Sequence, residues 1–95
     1  MPDVKDAMEA VTDPANVHVS DSHSGMRQVK EKKVMSVLRG GGAGKAEARL
    51  LITEAVQELD GLVESEVRTG GRPSGPDTKK AGEIWFVPAD AVRKY

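Results

Sequence analysis

At 95 residues the chain is long enough for one small domain with a modest core, and too short for a separate catalytic domain beside it. The absence of cysteine excludes a disulfide framework and a thiolate zinc site. No apolar run approaches membrane-spanning length and the first residues are acidic, so the chain reads as a cytoplasmic domain without signal or anchor. A net charge of −1 conceals a segregated pattern. Residues 1–24 carry five acids and one base, and residues 25–45 six bases (Arg27, Lys30, Lys32, Lys33, Arg39, Lys45) and one acid. Residues 46–67 then carry six acids and one base, and residues 68–95 six bases and three acids. If folding brings the two basic blocks together, a near-neutral protein acquires a positive face suited to a polyanion. If it does not, the blocks are solvated faces.

In chain order, Val4, Ala7, Met8 and Val11 fall at helical spacing behind Asp3 as a cap, and Asp13-Pro14 ends that helix. Asn16 to Ser20 alternates apolar and polar residues as a short strand does, and Asp21 to Gly25 has turn chemistry. From Met26 to Arg39, the residues Met26, Val29, Val34, Val37 and Leu38 line an approximate apolar face, predicting a second, long helix stopped by three glycines at 40–42. The third helix, Lys45 to about Leu62, is the clearest element: Ala48, Leu51, Ile52, Ala55, Leu59 and Leu62 form one stripe, flanked by Leu50 and Val56.

Two strand-like segments follow, 63–69 and 83–87, joined across residues 70–82, whose glycines, prolines and cations predict an extended loop bearing Arg72, Lys79 and Lys80. Trp85 and Phe86 are strand neighbours, so one is expected in the core and the other over a last short helix starting at Pro88.

Arg39-Gly-Gly-Gly-Ala-Gly-Lys-Ala imitates a phosphate-cradling loop. That loop needs a glycine separated by four residues from the Gly-Lys pair and a Ser or Thr after it. Arg39 and Ala46 occupy those places, and no buried strand precedes them, so the stretch reads as a helix connector. His18 and His23, with Asp21 between them, lack a third ligand and read as surface histidines. Ser20, Ser22 and Ser24 have no oriented acid or oxyanion donor near them, so neither enzyme activity, a metal nor a cofactor is expected.

The order helix, strand, helix, helix, strand, basic loop, strand, and in particular Val56 to Pro73 (VQELDGLVESEVRTGGRP), resembles a winged-helix DNA-binding domain. The fragment GKAEARLLITEAVQELDGLV is similar to domains of that kind appended to replication and mobile-element proteins. The resemblance implies one α+β domain over residues 1–95, with about three helices on a two- or three-stranded antiparallel sheet and a long wing loop. Residues 1–24 could then be partly flexible. It further implies double-stranded DNA binding, by a transcriptional regulator or by the DNA-docking module of a replication-type protein. The contacts would be Arg27, Lys30, Lys45, Arg49, Arg68, Arg72, Lys79 and Lys80, with Thr53 and Gln57 as neutral residues able to reach base edges. Glu47, Glu54, Glu58 and Asp60 depart from that pattern, because a helix deep in the major groove would bring them near phosphates. A protein-interaction or dimerisation module on the same fold is the competing reading, and the same cations would also suit RNA.

Overall fold

The computed structural model describes residues 2–70 and 78–93, with side chains described for 2–65 and 82–93. It opens on helix α1, Val4–Val11. Asp3 accepts the Asp6 N–H at 3.1 Å while the Asp6 carboxylate accepts the Asp3 N–H at 2.9 Å, so two otherwise orphaned donors are satisfied reciprocally. The interaction holds the Asp3 carboxyl below its usual pKa of 3.8, chiefly through the Asp6 N–H. Ala7, Ala10 and Val11 carry the helix into the core.

A 3₁₀ turn, Pro14–Asn16, leads into strand β1, Val17–Val19. Strand β2 follows at Met26–Val29 and pairs antiparallel with β1, Val17 opposite Val29. This corrects the expected helix over 26–39. Arg27 and Gln28 face Val87 and Phe86 of the last strand, so the backbone of 26–29 is committed to a ladder and Lys30 is an extended N-cap. Helix α2 therefore spans only Glu31–Gly40, with Val34, Met35 and Leu38 inward and Val37 turned to solvent, 53% exposed. It ends where Gly42 takes φ 110° and the Ala43 N–H returns to the Leu38 carbonyl at 3.1 Å.

Helix α3, Lys45–Glu58, runs through the middle of the domain. Ala48, Ile52, Ala55 and Val56 are buried at positions i, i+4, i+7 and i+8, which is the stripe a core-facing helix needs. Leu62 does not extend that stripe. Asp60 adopts φ 57° and Gly61 turns the chain directly into strand β3, Leu62–Gly70. A Cβ at Gly61 would overlap the Phe86 carbonyl oxygen and stand 2.6 Å from Val56 Cγ1, so the corner closes only without a side chain.

Strand β4, Thr78–Pro88, completes the hairpin, paired with β3 from Leu62↔Phe86 to Gly70↔Thr78. The hairpin arms are thus longer than expected, and much of the anticipated loop is strand. The sheet has four antiparallel strands in the order β1-β2-β4-β3, one or two more than expected, within an α+β architecture. Val17, Val29, Trp85 and Val87 join the three helices in one apolar cluster on one face. Phe86, 2% exposed, points to the other face and meets the His23 ring edge-on with centroids 4.4 Å apart. Both aromatics are therefore buried, and the β1–β2 turn covers Phe86. A 3₁₀ turn, Ala89–Ala91, replaces the expected last helix, and the Arg93 N–H bonds the Thr12 carbonyl.

Candidate nucleic-acid interface

Arg49 organises the region. One guanidinium nitrogen bonds Glu83 of β4 at 2.9 Å, the other bonds Glu31 at the start of α2, and the guanidinium carbon stands 5.5 Å from the Trp85 ring centroid. The fork geometry of arginine allows both carboxylates and the indole to be served at once. A single side chain thereby joins the first turns of α2 and α3 to the root of the β3–β4 hairpin.

Beside this junction Lys32, Ser36, Arg39 and Lys45 line an open groove between α2 and the start of α3, with Met35 and Ala43 among its walls and the paired Glu31 and Arg49 also lining it. Among the described residues, the lysines and arginines within ion-pair distance of a carboxylate come down to Arg49, so the Lys32, Arg39 and Lys45 charges face solvent. Lys32 and Arg39 are seven residues apart, two helical turns, which places them on one face of α2.

The residues expected at the interface are distributed unevenly. Lys45 lies in the groove with an exposed side chain, whereas Arg49 is held by Glu31 and Glu83 with only 27% of its side chain exposed. Arg27 and Lys30 are not on a helix face. Arg27 is half-buried on β2 and donates to the Met26 carbonyl at 3.1 Å, and Lys30 reaches toward the Ala15 carbonyl at 3.5 Å. Neither lines the groove. Arg68 and Lys80 are register partners on the hairpin, next to the pair Thr69 and Lys79, so three cations fall on two adjacent rungs. Arg72 lies outside the described residues. Lys32 and Arg39 are the residues not anticipated. Their seven-residue spacing was visible, and acquires meaning once the helix begins at Glu31.

Charge also divides across α3. At about 100° per residue, Arg49 and Thr53 flank the sheet side, Ala46, Leu50 and Gln57 form the outward crest, and Glu47, Glu54 and Glu58 form the opposite flank. Glu54, Gln57 and Glu58 border a shallow depression with Val4 of α1, away from the cationic groove. Thr53 is not free to meet a base. Its Oγ1 accepts the Trp85 Nε1–H at 3.1 Å and donates to the Arg49 carbonyl at 3.0 Å.

The histidines do other work. His23 is half-buried over Phe86 with Nε2 2.6 Å from Glu64 Oε1, and the His18 Nδ1 stands 3.1 Å from the Val19 carbonyl oxygen. No group of three potential metal ligands occurs among the described residues, and no helix there is long and apolar enough to cross a membrane. Compared with family models, with curated proteins and with solved structures, the chain has no match.

Proposed function

We propose that this chain binds double-stranded DNA in the manner of a winged helix, with α3 presented to the duplex and the β3–β4 hairpin as the wing. The observation that carries the reading is the Arg49 junction: it sets the groove of Lys32, Arg39 and Lys45 at the root of the hairpin on whose rungs Arg68, Lys79 and Lys80 lie. Glu54 and Glu58 border the depression with Val4 of α1 and do not line that groove, and Glu31, which does line it, is held by Arg49, so phosphates can approach the groove without meeting Glu54 and Glu58. A regulator and a DNA-docking module of a replication-type protein would use this surface alike, because cations on phosphates position a protein without specifying sequence.

The test is a fluorescence-anisotropy titration with a mixed-sequence duplex at two salt concentrations. Binding is expected to weaken steeply with salt, and Lys45→Ala or Arg39→Ala to reduce the slope of log K against log salt by about 0.9 each. Absence of binding at low salt refutes the proposal. The protein-interaction reading has one feature in its favour, the exposed Val37 in a depression formed with Asn16, Lys32, Lys33 and Ser36. Sedimentation showing self-association without DNA binding would select it.

A further inference from the structure

Leu50 occupies the centre of the outward crest of α3 and is 61% exposed, so it contributes little to folding. Isolated apolar side chains on a surface are ordinary. The surroundings of this one are what matter. One turn earlier on the same crest stands Ala46, also exposed, and both lie in the half of α3 that begins with Lys45 in the cationic groove. The neighbouring polar groups are committed or repelled by DNA. Arg49 is held by Glu31 and Glu83, Thr53 by the Trp85 indole, and Glu47 and Glu54 carry carboxylates that disfavour phosphates. Gln57, the remaining polar residue of the crest, lies two turns beyond Leu50, beside the depression with Val4, so in the half of α3 next to the groove the crest is apolar. In the major groove the apolar feature is the C5 methyl of thymine.

Resting on the DNA reading above, we infer that Leu50 is the base-reading residue of α3 and that it seats a thymine methyl, giving the protein a preference for thymine-containing duplex. Ala46 widens the same apolar strip, and its small side chain lets the helix approach the groove floor. Glu47 and Glu54 stand at i−3 and i+4 from Leu50, so only the tip of the crest between them can approach the bases without setting a carboxylate against the backbone.

The experiment compares two duplexes, alternating dA–dT and the same duplex with deoxyuridine in place of thymidine, which removes the methyl and keeps the pairing. Burial of one methyl is worth about 0.8 kcal/mol, so the expected result is about fourfold tighter binding to the thymidine duplex for each methyl seated. Leu50→Ala is expected to bring that ratio to about one while leaving the salt slope unchanged, and circular dichroism verifies that this exposed substitution keeps the fold. Lys45→Ala is expected to weaken both duplexes equally, leaving the ratio intact. A ratio of one in the unmodified protein, with steep salt dependence, overturns the assignment to Leu50 and leaves DNA binding standing. A ratio that survives Leu50→Ala also overturns it, because another residue then reads the methyl. No binding to either duplex at low salt overturns the DNA reading and this inference together.

Discussion

Thr53→Val isolates one bond in the core and separates structure from recognition on α3. Trp85 is fully buried, and its indole N–H has the Thr53 hydroxyl as acceptor at 3.1 Å. Valine keeps the branched shape and removes the acceptor, leaving a buried donor unpaired. The cost of such an orphan is about 1–3 kcal/mol. The second bond of the hydroxyl, to the Arg49 carbonyl, adds little, because that carbonyl keeps its i+4 helical partner. With a urea m-value of about 1–3 kcal/mol/M for a protein of this size, a loss near 2 kcal/mol lowers the unfolding midpoint by about 1 M. The double-mutant cycle with Trp85→Phe is decisive, since phenylalanine has no N–H to strand. Thr53→Val is expected to be nearly neutral in that background, giving a coupling energy of about 1–2 kcal/mol. Equal costs in both backgrounds would refute the argument. Under conditions where Thr53→Val is folded, its affinity for duplex DNA is expected to match that of the unmodified protein. A selective loss of binding would return Thr53 to the list of base-reading residues.

Gly61→Ala is expected to cost about 3 kcal/mol, the upper end for overpacking, because the nearest atom to the added Cβ is the backbone oxygen of Phe86, which cannot move aside as the Val56 side chain can; thermal unfolding measures it, and a neutral result would mean the corner relaxes. Arg49→Gln is expected to cost about 1 kcal/mol, since Glu31 and Glu83 are each more than 40% exposed and partly screened, and to speed amide exchange at the hairpin root; unchanged exchange there would show that the junction does not hold the hairpin. Asp3 has its carboxyl pKa lowered by the Asp6 N–H, so its stabilisation of α1 is complete above the unfolded value of 3.8 and is lost as pH falls through the lower folded value. Asp3→Asn, which caps without titrating, is expected to flatten that acid limb in a circular-dichroism titration, and an unaltered limb would assign it to other carboxyls.

Local signals in the sequence were read correctly where the determinant was itself local. The Asp3 cap and the buried stripe through Ala48, Ile52 and Ala55 each depend on residues within a few positions. Met26 to Lys30 misled because Met26, Val29 and Val34 also satisfy a helical period, and the partners that make 26–29 a strand, Val87 and Phe86, lie far along the chain. Leu62 fits the stripe of α3 by spacing and belongs to β3 because of the Asp60-Gly61 corner. For the candidate site, the cationic blocks were visible, but pairing was not. Nothing local indicates that Arg49 faces Glu31 and Glu83, or that Trp85 occupies Thr53. Those contacts tie up Arg49 and Thr53, while the groove sets Lys32 and Arg39 beside the expected Lys45.

The strand order β1-β2-β4-β3 leaves two open edges, and they differ in kind. β1 is three residues long, too short to recruit another strand. β3 is nine residues long, and an unpaired edge of that length is a template for strand addition by a second chain. Its sequence places Glu64, Glu66 and Arg68 at every second position, so an incoming strand would have to desolvate a charge at alternate rungs along most of its length. The hairpin that is proposed to meet DNA thus carries its own protection against aggregation, and replacing Glu66 by a β-branched residue would lower that protection while leaving the His23–Glu64 contact in place.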